Sequence, residues 1–346
     1  MSLTKATPLM SPEEIAVRAG QQMPYLHLPV RAELFATRET RLRELAAGHA
    51  MRDFLLFAAE LAHVQHEVLQ DFAQTFADLP LPSEDDLVAA GRAAKAPLPA
   101  ALWPRDPAWR AATRRMLELL APRLAGSPAQ AVVQSLLEAG DDHLEGQAEL
   151  LLNGAAGLDM SAAPLVAAGL QVYWTHMVLA VDAAHGKARQ APFGRTLDAT
   201  LCPCCGSLPV ASVTKVDASG GNYRFLHCSL CSAQWHMVRV KCSHCESTKG
   251  INYSSLEALA TDGAKQDATM ASVQVETCDE CHHYLKMVRM ERELNVDPVA
   301  DDLGSITLDI LVSEDGYQPH GVNLLLLTGE GDNTSFNEVP VPDKRS

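Results

Sequence analysis

Nine cysteines lie in this 346-residue chain, and all of them fall between Cys202 and Cys281. Eight form four Cys-x-x-Cys pairs: Cys202/Cys205, Cys228/Cys231, Cys242/Cys245 and Cys278/Cys281. Two thiolates at this spacing can reach one ion at about 2.3 Å while the amides between them donate to the sulfurs. Two such turns facing each other close a tetrahedron, so the array supplies two complete sets. Between the first and second pairs lie 22 residues that read strand, turn, strand, with Asp217–Asn222 as the turn; 32 residues separate the third pair from the fourth. Each unit therefore reads as turn, hairpin, turn, third strand. The sequential assignment places Cys202, Cys205, Cys228 and Cys231 around one ion and Cys242, Cys245, Cys278 and Cys281 around another. Only ten residues separate the second pair from the third, which disfavours their sharing an ion. Interleaved pairing, including pairing between chains, stays open.

Cys204 is the odd thiol. A tight turn after the second cysteine of a pair favours a residue with positive φ, and Gly206 follows Cys205, which selects Cys202/Cys205 over a register using Cys204. Cys204 then reads as a bystander inside the turn, with a redox-active or exchangeable ligand as the alternative. Ser232, Glu246 and His282 follow the other pairs and suit such turns less well. Four cysteinates close a metal's shell and leave no position for water or substrate, so hydrolytic zinc chemistry is disfavoured and a fold-holding role is the plainer reading. The same geometry accepts zinc or a single iron, and spacing does not separate them; iron would permit one-electron chemistry. His227, His236, His244, His282 and His283 lie near the pairs and read as ordinary loop or strand histidines, with a ligating or orienting role as the alternative.

Short strands of the kind that must hold these turns read at Leu208–Val216, Tyr223–His227, Trp235–Lys241, Val273–Thr277 and Tyr284–Met290. They bury too little to form a core alone, and a metal can replace that core. Ahead of them, Pro29–Ala188 reads as a helical domain. Phe54, Phe57, Ala58, Leu61, Val64, Val68 and Phe72 recur at spacings of three and four, predicting a helix over Met51–Phe72. Similar patterns predict helices over Ala108–Leu124, Ala129–Leu152 and Ala163–Ala184, with breaks at Leu79–Ser83 and Pro97–Pro99. Asp106 is positioned to cap a helix that has Pro107 in its first turn. The architecture expected is a helical domain over residues 1–195, four-cysteine modules over 196–241 and 242–296, and an acidic segment with a helix over 297–346.

The net charge is −15, and residues 297–346 hold ten Asp or Glu against two Lys or Arg, which nominates that segment as a solubilising or partner-contacting element. From Leu197 to Val296 there are nine basic residues against eleven acidic, so the cysteine region lacks the basic stripe that a nucleic-acid-binding ribbon needs. Met160–Val181 carries no charged side chain but is interrupted by Pro164, Gly169, Gln171 and His176, which favours a buried core helix over a membrane span. Residues 1–14 show no apolar run of signal-peptide length, so a cytoplasmic protein is expected. Glu60-x-x-His63 has the spacing of a di-iron helix and His66-Glu67 begins like a zinc-protease helix. The first lacks a second copy and the second has Gln70 where histidine is needed, so both read as an exposed polar face.

The runs Cys202-Pro-Cys-Cys-Gly-Ser-Leu-Pro209, Tyr223-Arg-Phe-Leu-His-Cys-Ser-Leu-Cys231 and Trp235-His-Met-Val-Arg-Val-Lys-Cys-Ser-His-Cys245 resemble the FdhE family of formate dehydrogenase accessory proteins. Cys278-Asp-Glu-Cys281 with Tyr284-Leu-Lys286, Val299–Leu303, Leu308-Asp309 and Gly316-Tyr317 extend the resemblance from about Cys202 to Tyr317. His282 departs from the glycine usual there, and Leu324 and Leu325 stand where relatives look more like Pro-Phe. The resemblance implies a non-enzymatic, cytoplasmic assembly factor that contacts the catalytic subunit of respiratory formate dehydrogenase before its export. It also implies that the eight cysteines are ligands of rubredoxin-type iron. A rubredoxin-like protein cycling iron to act on the immature dehydrogenase is the alternative function.

Overall fold

The computed structural model describes residues 24–76, 79–187, 191–216, 221–256 and 271–327. Among the described residues, seven α-helices make up the first half: α1 (Leu34–Ala46), α2 (Arg52–Thr75), α3 (Glu84–Arg92), α4 (Ala108–Leu120), α5 (Ala129–Glu138), α6 (Asp141–Asn153) and α7 (Ala163–His185), with a short 3-10 turn at Ala121–Leu124. The apolar stripe of α2 buries Leu55, Ala58, Leu61, Ala62, Val68 and Phe72 against α1, α4 and α7, as its periodicity requires. The most apolar stretch of α7 is 83% buried, so its length and composition reflect a place at the centre of the core. It approaches α4 closely at Gly169, where a Cβ would lie 2.0 Å from Thr113 Oγ1. The Asp106 carboxylate accepts from the Ala108 amide and starts α4, as expected.

Two expectations fail locally. The single helix expected over Ala129–Leu152 is two, because Ala139 and Gly140 are extended and Asp141 and Asp142 begin a new first turn there. The third strand of the first unit is shorter than Trp235–Lys241, since pairing stops at His236. α3 follows the break at Ser83 directly, where Ser83 and Asp86 exchange side-chain and backbone hydrogen bonds in a capping box.

Eight strands among the described residues form one sheet: β1 (Leu26–His27), β2 (Pro209–Val216), β3 (Asn222–Cys228), β4 (Gln234–His236), β5 (Ile251–Ser254), β6 (Val273–Cys278), β7 (His283–Arg289) and β8 (Gln318–Pro319). Their order is β1-β4-β3-β2-β7-β6-β5, with β8 also against β7. The β2–β3–β4 and β5–β6–β7 units are antiparallel repeats of one plan. Parallel pairing of Ser212–Thr214 with Met287–Arg289 fuses them across the expected module boundary. Asp217–Ser219 and Gly220 of the anticipated β2–β3 turn lie outside the described residues. β1, ahead of every described helix, pairs with β4 through Leu26 and Trp235.

The segment after Asn295 folds back as two short helices, α8 (Pro298–Leu303) and α9 (Ile306–Glu314). Its acids are not merely solubilising. Asp297 accepts from the Val299 and Ala300 amides and meets Arg38 at 3.2 Å, while Asp301 holds Arg41 at 2.7 Å. Asp302 and Asp309 clasp Lys286 of β7 at 2.8 and 2.6 Å. Four carboxylates thus tie the C-terminal segment to α1 and to the sheet; residues 328–346 lie outside the described residues.

Candidate metal centres

Four knuckles present the cysteines. In the first, the Cys202 amide donates to Ser207 O at 2.9 Å and the Gly206 amide to Cys202 O at 2.8 Å; in the third, Cys242 and Glu246 repeat this at 2.8 and 3.2 Å. The residue after each pair is left-handed: Gly206 at φ 74°, Ser232 at 60°, Glu246 at 60° and His282 at 55°. The turn therefore imposes its conformation at all four positions, including the three whose side chains suit it poorly. Amides inside the loops point at sulfur, with Leu230 N and Cys231 N each 3.4 Å from Cys228 Sγ and His244 N 3.3 Å from Cys242 Sγ.

The knuckles bring Cys202, Cys205, Cys228 and Cys231 together at one place and Cys242, Cys245, Cys278 and Cys281 at another, with the ligand atoms of each group within 4.8 Å of one another. Sulfurs approach at 3.6 Å (Cys202–Cys231, Cys205–Cys231), 3.4 Å (Cys205–Cys228), 3.8 Å (Cys242–Cys281) and 3.7 Å (Cys245–Cys278). Sulfurs on a tetrahedron with metal–sulfur bonds of about 2.3 Å sit about 3.8 Å apart. Both clusters fit a four-sulfur ion of zinc or iron size and could hold metal ions; the geometry is common to the two metals.

Charge behaviour points the same way. Burial alone would raise the Cys202 thiol, but the thiols of Cys204, Cys205, Cys228 and Cys231 turned towards its sulfur hold it well below the usual thiol range. Burial pushes Cys228 and Cys231 well up. In the second cluster burial pushes Cys242 up to about 11 and raises Cys281 too. At Cys245 burial is outweighed by the Ser247 amide and the neighbouring thiols, which lower it. Four sulfurs crowded this closely cannot all ionise without a cation between them.

The two clusters sit in different surroundings. The first is wholly buried and seamed into the helical core: Gln171 of α7 donates to Ser229 O at 2.8 Å, and Thr175 Oγ1 lies 3.5 Å from Cys231 O. The Pro97–Pro99 region, expected only as a break, hands the Leu98 and Ala100 amides to Cys204 O and Cys205 O at 3.1 and 2.8 Å. Nothing local in the sequence marks these contacts, although the two prolines do signal an extended strand-like run. Cys204 is fully buried beside the cluster. The second cluster is open on one side, with Cys245 exposed and Cys281 half-buried. Of the five nearby histidines, His244 and His283 come within reach of Cys281, whereas His227 is buried against Gln234 and His236 packs on Phe225. The di-iron and protease motifs resolve as expected into a polar face: His63 bridges Glu39 and Glu67 at 2.9 and 3.1 Å, and Glu60 pairs with Arg43 and Arg123.

Three family models match in succession: the N-terminal part of FdhE over residues 23–190, its central domain over 201–239 and its C-terminal domain over 240–326. A curated relative named Protein FdhE homolog, from Cronobacter sakazakii, is 37% identical over 320 residues, covering 91% of this chain and 95% of that one. Protein FdhE of Escherichia coli O139:H28 shows the same identity and coverage. The crystal structure of the FdhE protein from Pseudomonas aeruginosa matches with a TM-score of 0.72 at 34% identity, covering 89% of this chain and all of that chain (100%). With the helical half, the fused sheet and both four-cysteine clusters accounted for over nearly its whole length, the chain belongs to the FdhE family of formate dehydrogenase accessory proteins.

Proposed function

We propose that this protein is a cytoplasmic, non-enzymatic maturation factor that binds the catalytic subunit of a formate dehydrogenase before export. It holds one ion between Cys202, Cys205, Cys228 and Cys231 and a second between Cys242, Cys245, Cys278 and Cys281. The observation that carries the reading is the pair of closed four-sulfur shells built into a family scaffold of accessory proteins. A shell of four cysteinates supplies fold stability and, with iron, one-electron chemistry, but no open position for a substrate. Family resemblance favours rubredoxin-type iron; zinc fits the same sulfurs. The sheet-borne modules 196–241 and 242–296, together with the helical unit 1–195 and the returning segment 297–346, form the docking body.

An anaerobic pull-down tests this directly. The intact protein retains the catalytic subunit and carries two ions per chain; failure to retain it under those conditions overturns the docking role. Exposure of the second cluster favours one further reading, electron exchange with the immature client. Ferric-thiolate absorption appearing on mild oxidation supports that version, and stoichiometric zinc without such colour removes it.

A further inference from the structure

One group with metal-binding chemistry extends beyond the two four-cysteine sets. His244 and His283 share Cys281 with the second cluster, and the ligand atoms of the three lie within 4.8 Å of one another. His283 Nδ1 lies 2.7 Å from the carbonyl oxygen of Cys281. A carbonyl only accepts, so Nδ1 carries the hydrogen and Nε2 keeps its lone pair, the arrangement of an imidazole oriented for metal from behind. The His244 and His283 rings stack at 3.7 Å with 6° between planes. His320, 6% exposed, packs edge-on against His244 at 5.1 Å, and its Nε2 has no partner among the described residues. Two imidazoles therefore stand within reach of Cys281, with a third, His320, packed behind His244.

The internal repeat makes the contrast sharp. His244 occupies the place that Cys204 holds in the first knuckle, and His283 the place of Ala233, both fully buried. Among the described residues no imidazole joins the first group of ligands and its four cysteines are buried, whereas the second has two imidazoles beside Cys281 and an exposed Cys245.

We propose that His244, His283 and Cys281 form an entry half-site through which a borderline divalent cation, zinc or ferrous iron, reaches and leaves the second four-cysteine centre. The inference rests on the ligand sets proposed above. An arriving ion would be taken first by the Cys281 sulfur, whose thiol proton leaves to solvent, and by imidazole nitrogen. Each further bond to Cys242, Cys245 or Cys278 then displaces a nitrogen or a water, and each thiol that joins releases its proton to solvent. Exposed His244 turns out of the stack to bring its nitrogen to the ion, since parallel rings cannot both point at one centre.

The test uses the full-length zinc-loaded chain challenged with a chromogenic chelator. Two ions leave in two phases of equal amplitude, and replacing both imidazoles (His244→Ala with His283→Ala) slows the fast phase about tenfold or more while the slow phase is unchanged. His143→Ala, which removes an exposed imidazole of α6, leaves both phases as they were. His244→Asn with His283→Asn repeats the measurement with polar side chains, should alanine loosen the knuckle. Release of both ions in one phase, or a fast phase that neither pair of variants alters, overturns the half-site while leaving the ligand sets intact. Fewer than two zinc ions per chain overturns the ligand sets and the half-site with them.

Discussion

Gln171 is the contact through which the helical core grips the first metal centre, and replacing it by leucine tests that grip. Its Nε2 donates to Ser229 O at 2.8 Å and its Oε1 accepts from Gln65 Nε2 at 3.1 Å, all of it buried. Leucine fills similar volume but leaves the Ser229 carbonyl facing apolar surroundings without its donor. An orphaned buried acceptor costs about 1–3 kcal/mol, and the second bond lost adds about 1 kcal/mol. The gain from burying leucine in place of an amide offsets part of this, so the net expected loss is about 2–3 kcal/mol. For a protein of this size that lowers the midpoint of thermal unfolding by roughly 3–4 °C. Gln65→Leu is the comparison: it leaves Gln171 Oε1 buried without its donor, a cost of about 1–3 kcal/mol, but keeps the Gln171–Ser229 bond, so the first ion stays bound. Thermal melts of the metal-loaded variants, with metal content measured alongside, decide the matter. A Gln171→Leu midpoint within about 1 °C of the parent, with metal content unchanged, would refute the claim that this bond couples helices to knuckle.

Cys228→Ser is expected to lose one ion per chain and unfold the first module, because structural metal binding is worth about 10–16 kcal/mol; Cys204→Ser keeps both ions by metal analysis, and loss of an ion by Cys204→Ser but not by Cys205→Ser would show that Cys204 is the ligand. Asp297→Ala removes an α8 cap and leaves the fully buried Arg38 without its carboxylate, so chemical denaturation reports a loss of about 3–5 kcal/mol. Burial in the core, reinforced by Arg31, lowers His176 from 6.5 to about 4. The unfolded chain then binds the extra proton between those values, stability falls as pH drops through that window, and urea titrations show about 2 kcal/mol lost by pH 5. His176→Gln flattens that dependence; an unchanged slope would mean that other groups carry it.

Regions whose physics is local were readable from sequence. The α2, α4 and α7 helices announce themselves through periodic apolar residues, and the knuckles through fixed cysteine spacing. The split between α5 and α6 carried a signal, Gly140 followed by two aspartates, that competes with an unbroken apolar pattern. The Ser83 capping box was likewise legible but lay beside a proline-rich break. Long-range pairing leaves no such trace. β2 and β7 meet in parallel although some seventy residues separate them, and neither strand's composition names its partner. Arg38 and Arg41 look like surface residues until Asp297 and Asp301 arrive from the far end of the chain. His320 had no neighbouring motif to single it out, and its place beside His244 follows only from the pairing of β8 with β7.

The pairing of β1 with β4 has a topological consequence. Because β1 joins the sheet ahead of the described helices α1–α7 and the chain returns to the same sheet after α7, this helical stretch is a closed excursion anchored at both ends. A single cleavage in the connection near residues 191–201 would give a nicked but undivided molecule. Excising the cysteine-rich part alone would strip β4 of its outer neighbour and leave a raw sheet edge, with Trp235 beneath it, exposed to adventitious pairing.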